Sequence, residues 1–173
     1  MSSNENFELA RSLRAAEGYL ELGMTEDALV EVEAIEKEHR LRLDVVLMRM
    51  EILRVMKRWA EGAKLGQEAL MMHVNCGALY LVTAYAVRRS IGLTQARDIL
   101  LSGEHALKKE PMFFFNMGCY QCQLEDVESA KQWLLEAFAL DGKYRKVAWD
   151  DPDLEALRPW LKAKCAIGGA EAP

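Results

Sequence analysis

Apolar and polar residues follow one another along this chain with a helical period. Between glycine, proline and Asn/Asp breaks run segments of about 12 to 16 residues in which apolar side chains recur three and four positions apart. No segment shows the one-in-two alternation of a half-buried strand. The pattern predicts an all-α chain built from helical hairpins. First helices are expected at about 8–22, 43–56, 77–90 and 112–124, and second helices at about 25–39, 58–73, 93–109 and 127–140.

The hairpins repeat one unit. Ala28, Gly62, Ala96 and Ala130 are small residues about 34 apart, and Ala16, Met50, Ala84 and Gly118 repeat that spacing upstream. They close or precede the windows Gly23–Ala28, Lys57–Gly62, Ile91–Ala96 and Leu124–Ala130, where turns between helices are predicted. The two helices of a hairpin approach closely at their crossing, and a large side chain there would hold them apart. Gly62 is expected to mark such an approach, because glycine inside a helix costs about 1 kcal/mol relative to alanine. Large apolar residues fill the other core slots. Tyr19, Leu53 and Val87 recur on first helices; Trp59, Leu93 and Val127 open second helices; Val32, Leu100 and Leu134 lie further along them.

This arrangement resembles the tetratricopeptide repeat family, whose pattern sets a small residue and an aromatic on the first helix, then alanine and a bulky residue on the second. The resemblance covers residues 7–142, with repeats at about 9–42, 43–76, 77–110 and 111–142. Gln121 departs from the pattern where an aromatic or aliphatic residue is the rule, and Gly66 where a bulky one is. The repeat-ending proline occurs only as Pro111, about three residues late. The resemblance implies a right-handed α-α superhelix of about four helical hairpins with a C-terminal capping helix. Residues 143–165 are the expected cap. Asp150 or Asp151 can cap a helix opening at Pro152, Pro159 stops or restarts it, and Trp149, Leu154, Leu157 and Trp160 offer an apolar side. Residues 1–6 and 166–173 are small and polar and are expected to be flexible.

Composition narrows the setting. A chain of 173 residues with 51% hydrophobic content can bury one continuous helical core. No basic stretch followed by an apolar run opens it, and none reaches the roughly 18 uninterrupted apolar residues of a membrane span, so a cytoplasmic protein without a membrane partner is expected. Net charge is −5. Residues 1–40 hold about ten acids against four bases and residues 41–64 about six bases against three acids, so no long basic face can follow a run of phosphates. Nucleic acid is excluded as a partner on that ground. The opposed segments could attract one another between copies, which makes a closed homodimer a further expectation.

Candidate chemistry is sparse. Cys119 and Cys122 stand three apart on a predicted helix, but a tetrahedral zinc site needs four ligands and no second close pair of Cys or His exists. A redox dithiol belongs at a helix N-terminus beside a strand. With Cys76 and Cys165, the pair is expected to be reduced thiol filling helix faces. His39 and His73 fall one period apart near the predicted ends of second helices, with His105 in the same zone of the third, where the macrodipole favours cationic side chains. Gly62-Ala-Lys-Leu-Gly66 reads as small-residue packing, and Met48, Met50, Met56, Met71 and Met72 as adaptable core or a pliable wall. No enzyme, cofactor or metal is expected.

The resemblance implies that function lies on the inner faces of the first helices. Those faces carry Leu13, Arg14 and Glu17, then Leu47, Met48, Glu51 and Arg54, then Leu81, Val82, Tyr85, Arg88 and Arg89, and last Phe115, Asn116, Cys119 and Gln123. A row of apolar residues in a wet groove implies cover, either by a guest polypeptide or by neighbouring helices and the cap folding back. Some family members grip the carboxylate end of chaperone tails with lysines, asparagines and an arginine. Asn116 matches one of those asparagines, but Leu13, Glu17, Val82 and Met112 stand at other clamp positions, so that clamp is not expected. What remains is an apolar floor with Arg54, Arg88 and Arg89 to one side, suited to an extended or helical peptide with hydrophobic anchors and an acid or two. Tyr85 and Phe115 would be the anchoring contacts. The first expectation is a scaffold or adaptor binding a peptide or partner protein. The second is a small acidic tetratricopeptide chaperone of the type III secretion class, although those usually carry three repeats after an N-terminal extension. The third is a structural homo-oligomer subunit.

Overall fold

The computed structural model describes the backbone of residues 3–165 and the side chains of residues 6–164. The expectations for residues 1–2 and 166–173 lie outside the described residues, whereas Ser3–Asn6 are helical. Among the described residues there are α-helices and two short 3-10 segments, and no strand. The chain divides into two compact units, residues 1–92 and 93–173.

The first unit holds α1 (Ser3–Glu21), α2 (Thr25–Glu33), α3 (Leu43–Val55), α4 (Trp59–Leu70) and α5 (Gly77–Ser90). Each helix packs on the next, and α3 also touches α1 and α5. The second unit holds α6 (Leu93–Ser102), α7 (Glu104–Leu107), α8 (Pro111–Gln123), α9 (Val127–Leu140), α10 (Tyr144–Asp150), a 3-10 turn at Pro152–Leu157 and α11 (Arg158–Cys165). Here α8 and α9 form the hairpin, and the 3-10 turn lies on α8.

The repeat is written in the backbone as well as in the side chains. At the ends of α1, α3 and α8, Met24 N–H donates to the Tyr19 carbonyl at 2.8 Å, Arg58 to Leu53 at 2.9 Å and Asp126 to Gln121 at 2.9 Å. Inside these rings Gly23 donates to Leu20 at 3.0 Å, Lys57 to Arg54 at 3.1 Å and Glu125 to Cys122 at 3.1 Å. This paired bonding satisfies the last carbonyls of a helix and needs a left-handed residue at the inner donor. Gly23, Lys57 and Glu125 supply it with φ of 74°, 58° and 64°. At the end of α5 the corresponding residue is Ile91, whose β-branch disfavours that region; it keeps φ −115°, and Gly92 takes the positive φ of 156°.

Ala16, Ala28, Gly62, Ala84, Ala96, Gly118 and Ala130 are all buried, as is Met50. Their steric roles differ from the expectation, however. A β carbon on Gly62 would meet the Ala86 methyl at 3.5 Å, an ordinary contact, so Gly62 is not an obligatory glycine. Close approaches occur at Gly118, where a β carbon would fall 2.7 Å from Leu134 Cγ, and at Gly66 against Thr83. Gly66, which departs from the family pattern, departs because α4 meets α5 there.

Two second helices are shorter than expected. The Arg40 guanidinium donates to the carbonyls of Glu33 at 2.6 Å and Ile35 at 2.9 Å, capping α2 six residues before the expected end at 39. Gly103 separates α6 from α7 inside the expected 93–109. His39 consequently sits in a 3-10 turn, and His73 lies past the end of α4 with Nε2 bonded to the Leu41 carbonyl at 2.7 Å. A tether to the preceding connection, not a helix macrodipole, accounts for His73.

Candidate functional site

On α5, Leu81, Tyr85 and Arg89 follow one another at steps of four, which sets them on one face of the helix. Tyr85 is 42% exposed, a large fraction for an aromatic in a well-packed hairpin. Its ring meets Trp59 edge-on, with centroids 5.5 Å apart and planes at 82°, the arrangement that the two ring quadrupoles favour. The Arg89 guanidinium lies over the same Trp59 ring, 5.4 Å from its centroid. Trp59 opens α4, so the turn after α3 delivers the indole to α5. Sequence reasoning assigned Trp59 to the core; its half-buried position makes it part of this surface instead.

Arg54, on α3, completes the cluster. Its Nε and Nη2 donate to the Glu51 carboxylate at 2.7 and 2.6 Å, a two-pronged pair across one helical turn. That hydrogen bond is the main cause of the lowered Glu51 pKa and the raised Arg54 pKa, and Tyr85 adds a smaller electrostatic contribution to Arg54. Both side chains are about half exposed, so the pair adds little to stability. Its effect is to hold a guanidinium beside Tyr85.

The remaining expected residues of the first unit divide by exposure. Arg14 and Glu17 are exposed on α1; Leu81, Val82 and Arg88 are half-buried on α5. Leu13 and Met48 pack against the core shared by α1, α2 and α3 and are floor, not free anchors. Leu47 borders an open depression with Arg42, Leu43, Asp44 and His73.

Of the expected site residues of α8, Phe115 and Cys119 are closed off, Asn116 is half-buried and Gln123 is exposed. Phe115 is 6% exposed and Cys119 3%. The Phe115 ring packs on Tyr144 at 5.1 Å, the Cys119 S–H points to Asp151 Oδ2 at 3.8 Å, and Gln123 Nε2 donates to the Asp153 carbonyl at 2.9 Å. Leu154 and Leu157 are buried beside them. The C-terminal segment therefore covers this face, and Phe115 is not an anchor for a guest; Asn116 is half-buried.

The Cys122 thiol is quiet. Burial, with a further contribution from Asp153, pushes the Cys122 pKa up, which disfavours the nucleophilic thiolate. Cys119, Asp151 and Asp153 bring possible ligand atoms within 4.8 Å of one another, as do Glu36, Glu38 and His39. Local bonding accounts for the first group: Asp151 Oδ1 accepts the Asp153 N–H at 2.8 Å as a helix cap while Oδ2 faces the thiol. The second joins the half-buried His39 to two exposed carboxylates, Glu38 on the 3-10 turn Lys37–His39 and Glu36 just before it.

No protein-family model matches the chain, and no curated protein matches it. Solved structures do. A structure titled "Crystal structure of MamA protein" aligns with a TM-score of 0.76 at 9% identity, covering 96% of this chain and 98% of that one. A "MamA RS-1 ArsTM double mutant" aligns with a TM-score of 0.71 at 14% identity, covering 92% and 95%. At these identities the likeness establishes fold: the chain has the all-α, tetratricopeptide-like helical repeat fold. Among the described residues no helix is long and apolar enough to cross a membrane.

Proposed function

We propose that the protein is a non-enzymatic interaction module that binds a peptide segment of a protein partner on the face of α1, α3 and α5. The observation that carries this reading is Tyr85, an aromatic left 42% exposed between the Arg54–Glu51 pair and the Trp59–Arg89 stack. Aromatic rings and arginines held in fixed rotamers lose little entropy on binding and are favoured at interface hot spots. The repeat fold supports protein partners as a class. Cys76, Cys119 and Cys122 are reduced thiols, which suits a reducing, cytoplasmic setting.

A chaperone holding a long hydrophobic segment has less support. Leu13, Met48, Phe115 and Cys119, four groups of the expected groove, are packed against the protein's own chain. Homodimerisation through opposed charges is also weakened. Arg42, Arg49, Arg54 and Arg58 are engaged by Asp44, Glu33, Glu51 and Glu61 of the same unit.

The test is affinity capture with the parent, Tyr85→Ala and Arg89→Glu proteins. Each variant is expected to weaken partner binding by about 1 to 3 kcal/mol at unchanged helicity. Equal recovery of the same partners by all three proteins would remove the assignment.

A further inference from the structure

The face of α8 that carries Phe115, Cys119 and Gln123 corresponds, one repeat earlier, to the face of α5 that carries Leu81, Tyr85 and Arg89. The α8 face is occupied, and its occupant is visible. Asp151, Pro152, Asp153, Leu154, Glu155, Ala156 and Leu157 form a capped 3-10 turn whose two leucines are buried. Glu155 is exposed, Asp151 and Asp153 are half-buried, and the backbone is gripped by the Gln123 amide at the Asp153 carbonyl.

We infer that the α3–α5 face takes a guest of the same chemistry: a short acidic helical turn bearing two leucines three residues apart. The inference rests on the binding role proposed above and names the class of partner. Shape comes from the repeat, because corresponding residues on corresponding helices present the same backbone relief to a turn laid across them. Charge comes from the difference between the two faces. Residues 150–157 contain four acids and no base. On α8 Asp151 faces the Cys119 thiol and the neutral Gln123 amide holds the Asp153 backbone carbonyl, whereas on α5 the corresponding positions are Tyr85 and Arg89, with Arg88 alongside and the Glu51-paired Arg54 across on α3. The open face is thus the more complementary of the two to an acidic turn. Leucine side chains would lie on Leu81, Tyr85 and Trp59, and a carboxylate would meet Arg89, which the indole already positions.

The probe is a fluorescein-labelled synthetic peptide of residues 150–157, titrated into the full chain and followed by anisotropy. Saturable binding is expected, with a Kd below about 1 mM. Tyr85→Ala and Arg89→Glu should each weaken it about tenfold. Replacing both peptide leucines by alanine, or its aspartates by asparagine, should do the same. Both protein substitutions are at exposed residues, and their melting temperatures control for folding. No saturable binding overturns the inference. So does binding indifferent to Tyr85→Ala and Arg89→Glu, which would put the peptide elsewhere, for example on α8 in place of the native turn. If the peptide fails while capture of protein partners still depends on Tyr85, only the acidic leucine class falls. If both fail, the site itself is wrong.

Discussion

Gly66 and Thr83 touch across the α4–α5 contact so closely that a β carbon on residue 66 would lie 2.9 Å from both Thr83 Cβ and Cγ2 and closer still to Oγ1. Real β carbons do not approach neighbours at that distance, and Thr83, fully buried and β-branched, cannot swing away. Gly66→Ala is therefore expected to cost about 1 to 3 kcal/mol through displacement of α5. Gly62→Ala, one turn earlier with ordinary space around it, should stabilise by about 0.5 to 1 kcal/mol. Urea unfolding of the two variants checks the opposite signs.

Thr83 carries a second consequence. Its hydroxyl is buried without a hydrogen-bond partner. Removing an unsatisfied buried polar group while keeping the branched shape should raise stability, by about 1 kcal/mol for Thr83→Val. A lower denaturation midpoint in the variant would show that the hydroxyl does more than fill space.

Lys57 and Glu125 hold the left-handed backbone that Gly23 holds without strain. Glycine at either position relieves the clash of the β carbon, offset in part by its greater freedom when unfolded. Lys57→Gly and Glu125→Gly should each gain about 0.5 to 1 kcal/mol. Gly23→Ala should lose a similar amount, so thermal melts of the three variants test one geometry from both directions.

Acid should loosen the first unit gradually. Asp44, Glu51 and Glu61 are held below the ordinary carboxylate range mainly by hydrogen bonds from Arg42, Arg54 and Arg58. A folded pKa below the unfolded one means that the stabilisation is complete above the unfolded value and is lost as pH falls through the folded value. The loss is expected below about pH 4, and because the pairs are largely exposed it should total no more than roughly 1 kcal/mol. Stability measured from pH 7 to pH 3 with and without high salt checks it: salt should shrink the acid-labile part.

Periodicity made the helices legible where the chain itself decides their ends. The bounds of α5 and α9 agree with the apolar pattern at 77–90 and 127–140, and Pro111 opens α8 within a residue of expectation. It failed where a distant group decides. The Arg40 side chain ends α2 by reaching back to Glu33 and Ile35, a contact no helical period encodes. Phe115 and Cys119 lie on the expected face of α8, and the cap folding back, one of the two covers the apolar row implied, is what closes it; the apolar side of residues 143–165 is legible, but the pattern does not say which first helix it reaches. Trp59 reads as core in the sequence because an indole at the start of a second helix fits a core slot; only its edge contact with Tyr85 and the guanidinium above it reveal a surface role.

The covered side of α8 also sets how many guests the molecule can host. With that wall sealed by the residues that follow it along the chain, the peptide-binding role proposed for the α3–α5 face is a monovalent one. Titrations should saturate at a single equivalent of peptide per chain, and an assembly that recruits it gains an end point there, not another link.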